Sequence, residues 1–141
     1  MNSLNFIYDK LYNKKIFEKN EFTNIICKKI KNFSEEKAYD ILNNYKKYIN
    51  WDIISCQKLN EKFIEDFKYY LNWNFISEKQ DLSILFIEKY KDKINWDPIS
   101  RYQYLTEDFI HKYNEKINWN ALVLNRKIKI TINLIKGSED K

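Results

Sequence analysis

The sequence predicts an all-α protein in which short helix pairs stack as an α-solenoid behind a helical N-terminal cap. Three observations predict it. The chain has 141 residues yet only one glycine, Gly137, and one proline, Pro98. Four tryptophans, Trp51, Trp73, Trp96 and Trp119, recur at intervals of 22, 23 and 23 residues. Between them, apolar residues follow helical spacing.

The scarcity of glycine and proline comes first. Hairpins and long loops draw on both residues at their turns, whereas helix interiors exclude them. A chain with one of each is built from helices with short connections. The same scarcity leaves no room for a glycine-rich phosphate loop.

The repeat decides the architecture. The segments INWDIIS, LNWNFIS, INWDPIS and INWNALV surround the four tryptophans, and KLNEKFIEDF, DLSILFIEKY and YLTEDFIHKY follow the first three. Each unit reads as a short first helix and a longer second one. Asp52, Asn74, Asp97 and Asn120 are expected to cap the first helix, because their side-chain oxygens accept from free backbone N–H groups. Pro98 then falls at the first helical position, where its missing N–H costs nothing. Asn60, Ser83 and Thr106 are expected to cap the second helix. Leu59, Leu82 and Leu105 precede them, and Ile64, Ile87 and Ile110 lie four residues inside, the spacing of a hydrophobic staple. One pair cannot bury its apolar stripe alone, whereas stacked pairs share a core. The tryptophans are expected to wedge between units.

A single domain over 1–141 is expected. Residues 1–50 form its helical cap, with helical spacing over 4–16 and 21–31 and a cap at Ser34 preceded by Phe33. They read either as a divergent unit or as a separate functional head. Residues 51–136 hold four marked repeats, the last a capping unit with Gly137 as helix C-cap, and 137–141 form a tail.

Residues 94–117 carry the pattern W-D-x-I-S-x-x-Q-x-L-[S/T]-E-x-F-I-x-x-Y-x-x-K-I-N most closely, and 51–124 follow it well. This text resembles short tryptophan repeats of uncharacterised proteins from giant DNA viruses, phages and AT-rich bacteria. The resemblance implies no catalytic residues. It implies a viral or mobile-element interaction protein, such as an inhibitor of a host component.

Composition sets further bounds. At 44% hydrophobic and 32% charged, the chain is neither disordered nor membrane-spanning. No apolar run approaches the roughly 18 residues of a membrane helix, and the start, MNSLNFIYDKLYNKK, lacks the apolar core of a secretory signal. Cys27 and Cys56 form no disulfide framework or zinc pattern and read as core or half-buried residues in a reducing cytosol.

No catalytic, metal-binding or cofactor-binding residue is predicted, and no cofactor. His111 is the only histidine and reads as solvated. Acidic pairs such as Glu65/Asp66 and Glu107/Asp108 point different ways on a helix. Ser55, Ser77 and Ser100 recur at one position and Gln57, Gln80 and Gln103 at another. Chemistry is needed once, a structural role once per unit. The glutamines are therefore expected to satisfy backbone groups between units.

The net charge is +5. Residues 1–50 carry ten basic and six acidic side chains, 51–96 seven and eight, and 97–141 eight and six. The excess lies at the ends, at Lys28, Lys29 and Lys31 and at Arg126, Lys127 and Lys129. Balanced central repeats suit a phosphate-tracking groove poorly, and only Arg101 and Arg126 are arginines. The expected partner is a protein; the alternative is nucleic acid bound by a basic helical protein. In repeat proteins the changing positions face the partner. Here those are Phe75, Glu78 and Lys79 in one unit and Arg101, Tyr102 and Tyr104 in the next, beside Pro98.

Overall fold

The computed structural model describes residues 18–30, 34–129, 131 and 134. Among these the protein is all helical. The helices are α1 (Lys19–Ile30), α2 (Glu35–Tyr45), α3 (Trp51–Ser55), α4 (Glu61–Asp66), α5 (Trp73–Lys79), α6 (Ile84–Lys89), α7 (Trp96–Tyr102), α8 (Glu107–Lys112) and α9 (Trp119–Val123). A single 3-10 turn, Lys46–Tyr48, follows α2, and the described residues contain no strand. None of these helices is long and apolar enough to cross a membrane. The helix expected over 4–16, Phe33, the cap at Gly137 and the tail 137–141 lie outside the described residues.

The chain divides into two compact units, Met1–Ile54 and Ser55–Lys141. In the second, the first helices of successive repeats pack side by side, α5 against α7 and α7 against α9. Its core is a regular apolar series. Ile64, Ile76, Ile87, Ile99, Ile110 and Leu122 are all 0–1% exposed. Leu71, Ile94 and Ile117 close each second segment and are also buried. Each such side chain contributes roughly 1.5–3 kcal/mol by leaving water, more than a typical net hydrogen bond of about 1 kcal/mol. Apolar burial therefore dominates the stability of the stack, and the polar contacts set its register.

Caps at the second helices are as expected. Asn60, Ser83 and Thr106 accept from the backbone N–H of Phe63, Phe86 and Phe109. These helices are only six residues long, no longer than α5 or α7. The apolar stripe runs on through a turn, where Ile94 N–H donates to Tyr90 O at 3.1 Å and Ile117 N–H to Tyr113 O at 3.0 Å.

Caps at the first helices differ from expectation. Asn72, Asn95 and Asn118, each just before a tryptophan, are the N-caps; they accept from the N–H of Asn74, Asp97 and Ala121. The tryptophan is the first helical residue. Asn74, Asp97 and Asn120 lie inside the first turn. Pro98 is thus the third helical residue, still among those whose N–H has no intrahelical acceptor.

The tryptophans join neighbouring repeats but are half-buried, not enclosed. The Trp73 indole N–H donates to Lys68 O at 3.0 Å and that of Trp96 to Lys91 O at 3.1 Å, each the close of the preceding repeat. Their rings lie against their own second helix: Trp73 on Phe86 and Tyr90, Trp96 on Phe109 and Tyr113. At the last repeat the indole N–H of Trp119 donates instead to the Asn114 side chain.

The first unit shows a divergent copy of the same plan. Thr23 Oγ1 donates to Lys19 O and accepts from Asn50 N–H, both at 2.8 Å. Asn50 Nδ2 donates to Asn20 Oδ1. Ser77, Trp73, Asn95 and Asn74 make the matching bonds in the second unit. Lys19 therefore occupies the tryptophan position and Thr23 the serine position. Ser34 caps α2 by accepting from Lys37 N–H. Helices of 12 and 11 residues hide the 23-residue period.

Candidate partner-binding face

The repeated polar side chains must be accounted for before any functional reading. Ser55, Ser77 and Ser100 are fully buried. Their hydroxyl oxygens accept from the N–H of Asn72, Asn95 and Asn118, one repeat on, at 2.9, 2.9 and 3.0 Å. Ser77 and Ser100 donate in turn to Trp73 O and Trp96 O, both at 2.7 Å. A small hydroxyl is required here because it must donate and accept at once.

The glutamines form a second ladder. Gln80 Nε2 donates to Ser55 O and Gln57 O, and Gln80 Oε1 accepts from Leu59 N–H. Gln103 repeats this with Ser77 O, Gln80 O and Leu82 N–H. Asparagines make a third ladder: Asn95 Nδ2 donates to Asn74 Oδ1 at 3.0 Å, and Asn118 Nδ2 to Asp97 Oδ1 at 2.7 Å.

Charged residues of the second helices and of the turns that follow them pair across repeats as well. Lys89 pairs with Glu65, Lys112 with Glu88 at 2.7 Å, and Lys116 with Asp92 at 3.7 Å. The Lys112 hydrogen bond lowers the Glu88 pKa from 4.5, and the Lys89 bond does the same to Glu65. Repetition thus marks structural duty, as the sequence pattern predicts.

The non-repeating positions are placed as follows. Arg101 and Tyr102 are exposed at the end of α7, with the guanidinium 5.6 Å from the centre of the Tyr102 ring. They line one shallow cleft of about 340 Å³ together with Glu78, Asn74, Asp97 and Pro98. Lys79 pairs with Glu78 at 2.7 Å, and that hydrogen bond raises its pKa from 10.5. Tyr104 is 62% exposed but lines a different cleft, with Thr106, Glu107 and Lys127. Phe75 is half-buried. Glu78, Arg101 and Tyr102 therefore come together; Tyr104 stands apart from them, and Phe75 and Lys79 line neither cleft.

Leu124 and Arg126 line a third cleft with Arg101 and Tyr102. The reading of changing positions missed both as contact residues, although Arg126 is one of only two arginines in the chain. Among the described residues neither Arg101 nor Arg126 has an ion-pair partner, whereas Lys127 is held by Asp81 at 2.9 Å.

Cys27 is buried as expected, but Cys56 is exposed. His111 is half-buried on α8. No group of three or more His, Cys, Asp or Glu among the described residues is placed to hold a metal ion. Comparison with protein-family models, curated proteins and solved structures found no match.

Proposed function

We propose that this chain is a non-enzymatic helical repeat protein that docks another protein in the cytosol through the face carrying Glu78, Arg101 and Tyr102. One observation carries the reading. The repeated serines, glutamines and cap asparagines are engaged inside the stack, whereas Arg101 and Tyr102 are exposed, non-repeating, and side by side. Arginine and tyrosine are favoured anchors at protein interfaces. Residues 51–96 carry seven basic and eight acidic side chains, so the central repeats have no net positive charge to offer a phosphate backbone. The resemblance of residues 94–117 to viral and phage repeats adds a role: obstruction of a host protein.

The test is affinity capture from nuclease-treated host lysate with the wild type and with Arg101→Glu/Tyr102→Ala. The double variant is expected to melt as the wild type does and to lose the retained protein. Undiminished capture overturns the assignment of this face. Capture that vanishes on nuclease treatment supports nucleic acid as the partner instead.

A further inference from the structure

The last repeat departs from the two before it at one informative point. Gln80 and Gln103 each stand seven residues after a tryptophan; the matching residue after Trp119 is Arg126. The ladder does not fail there. Asn125, one residue earlier, donates through Nδ2 to Ser100 O and Gln103 O, both at 2.8 Å. Asn125 is buried and Arg126 exposed. The shorter amide completes the ladder early and leaves the following side chain free of structural duty.

That freed arginine borders a cleft of about 380 Å³, with Arg101, Tyr102, Leu124 and Lys127. Among the described residues no carboxylate lines it. Leu124 is 57% and Tyr102 41% exposed, so the cleft combines two guanidiniums that have no ion-pair partner among the described residues with two exposed apolar surfaces. Guanidinium is always charged and presents a planar fork matched to carboxylate. Complementarity asks for an occupant with a carboxylate beside a bulky apolar group. It also asks for a short one, because Glu78 and Asp97 line the neighbouring cleft and would repel an extended polyanion.

The geometry points to this cleft as the docking site for a short acidic segment of a partner protein. Its carboxylates pair with Arg101 and Arg126, and an adjacent apolar side chain lies on Leu124 and Tyr102. This rests on the protein-binding reading above and names the chemistry of its partner.

The test uses the full chain and fluorescence anisotropy at about 150 mM salt, where generic attraction is largely screened. The probes are a short peptide alternating Glu and Leu, the same peptide with Gln for Glu, and an oligothymidylate. Binding of the acidic peptide is expected, weakened roughly tenfold or more by Arg126→Gln or Arg126→Glu and also weakened by Leu124→Ser. Lys91→Glu, at an exposed lysine outside the cleft, is expected to leave it unchanged. Thermal melts confirm that each variant folds. Equal binding of the Gln peptide, tighter binding of oligothymidylate, or indifference to Arg126→Gln overturns the proposal. If the wild type retains a protein from nuclease-treated lysate but does not bind the acidic peptide, this proposal falls and the protein-binding reading stands. If no protein is retained, it is that reading that falls, whatever the peptide does.

Discussion

Gln103 reaches back one repeat to donate its side-chain amide to Ser77 O at 3.1 Å, a bond spanning 26 residues of chain. The same amide also donates to Gln80 O at 2.8 Å, and its oxygen accepts from Leu82 N–H at 3.1 Å. One buried side chain thereby satisfies three backbone groups of its neighbour. Such groups would otherwise be stranded away from water.

Gln103→Ala removes all three bonds. Leaving buried polar groups unpaired costs about 1–3 kcal/mol each, and water entering the gap offsets part of that. A net loss of about 3 kcal/mol is expected in a urea melt. Arg101→Ala, at an exposed site outside the ladder, is expected to change stability by less than about 0.5 kcal/mol. Equal effects of the two substitutions would contradict the ladder.

The two cap assignments can be separated directly. Asn95 accepts from Asp97 N–H and donates to Asn74, so Asn95→Ala is expected to cost about 1–2 kcal/mol. Asn120, which the sequence alone nominates as a cap, is exposed within the first turn of α9. Asn120→Ala is expected to cost less than about 0.5 kcal/mol. The reverse ranking in paired melts would restore the sequence-based placement.

Trp96 stacks on Phe109 at 6.1 Å and on Tyr113 at 5.3 Å between ring centres, and its N–H is bonded to Lys91 O. Trp96→Ala is expected to cost about 3 kcal/mol, the lower end for loss of a large aromatic, because the ring is only half-buried. Trp96→Phe keeps most of the stacking and loses the hydrogen bond, at about 1 kcal/mol. Guanidinium melts showing both variants as stable as the wild type would remove the ring from the seam between repeats.

Stability should fall in acid partly through two cross-repeat pairs. The hydrogen bonds from Lys112 and Lys89 lower the pKa values of Glu88 and Glu65 from 4.5. Carboxylates lowered in the folded state stabilise it above that ordinary value, and the contribution is lost as pH falls through the lowered one. Both pairs are largely solvent-exposed, so the effect is small and screened by salt. Melting temperature is expected to drop less steeply below pH 4.5 in Glu65→Gln/Glu88→Gln than in the wild type. Identical acid limbs would show that these pairs carry no pH-dependent stability.

Much of the fold is legible before any coordinates. The tryptophan interval, the caps at Asn60, Ser83 and Thr106, and the buried isoleucines all follow from spacing, because each depends on residues within one or two turns of chain. The repeating serines and glutamines announce structural duty by recurring. What periodicity could not separate was Asn72 from Asn74, since both carry a cap-forming side chain two residues apart. Backbone geometry chose the earlier one, whose oxygen meets the N–H two residues on; at the equivalent Asn95 and Asn118 the amide also reaches the preceding repeat.

Two matters needed the tertiary structure. Thr23 and Asn20 reveal α1 and α2 as a divergent repeat only through bonds to Asn50, 27 and 30 residues away. Longer helices had changed the interval while leaving the contacts intact. Likewise, Arg126 has no part in the ladder because Asn125 completes it a residue early, a substitution of function between neighbours that shows only in the hydrogen bonds. Helical periodicity records what each residue does for its own turn. Which side chains are left over for a partner depends on hydrogen bonds closed across whole repeats, and those exist only once the chain has stacked.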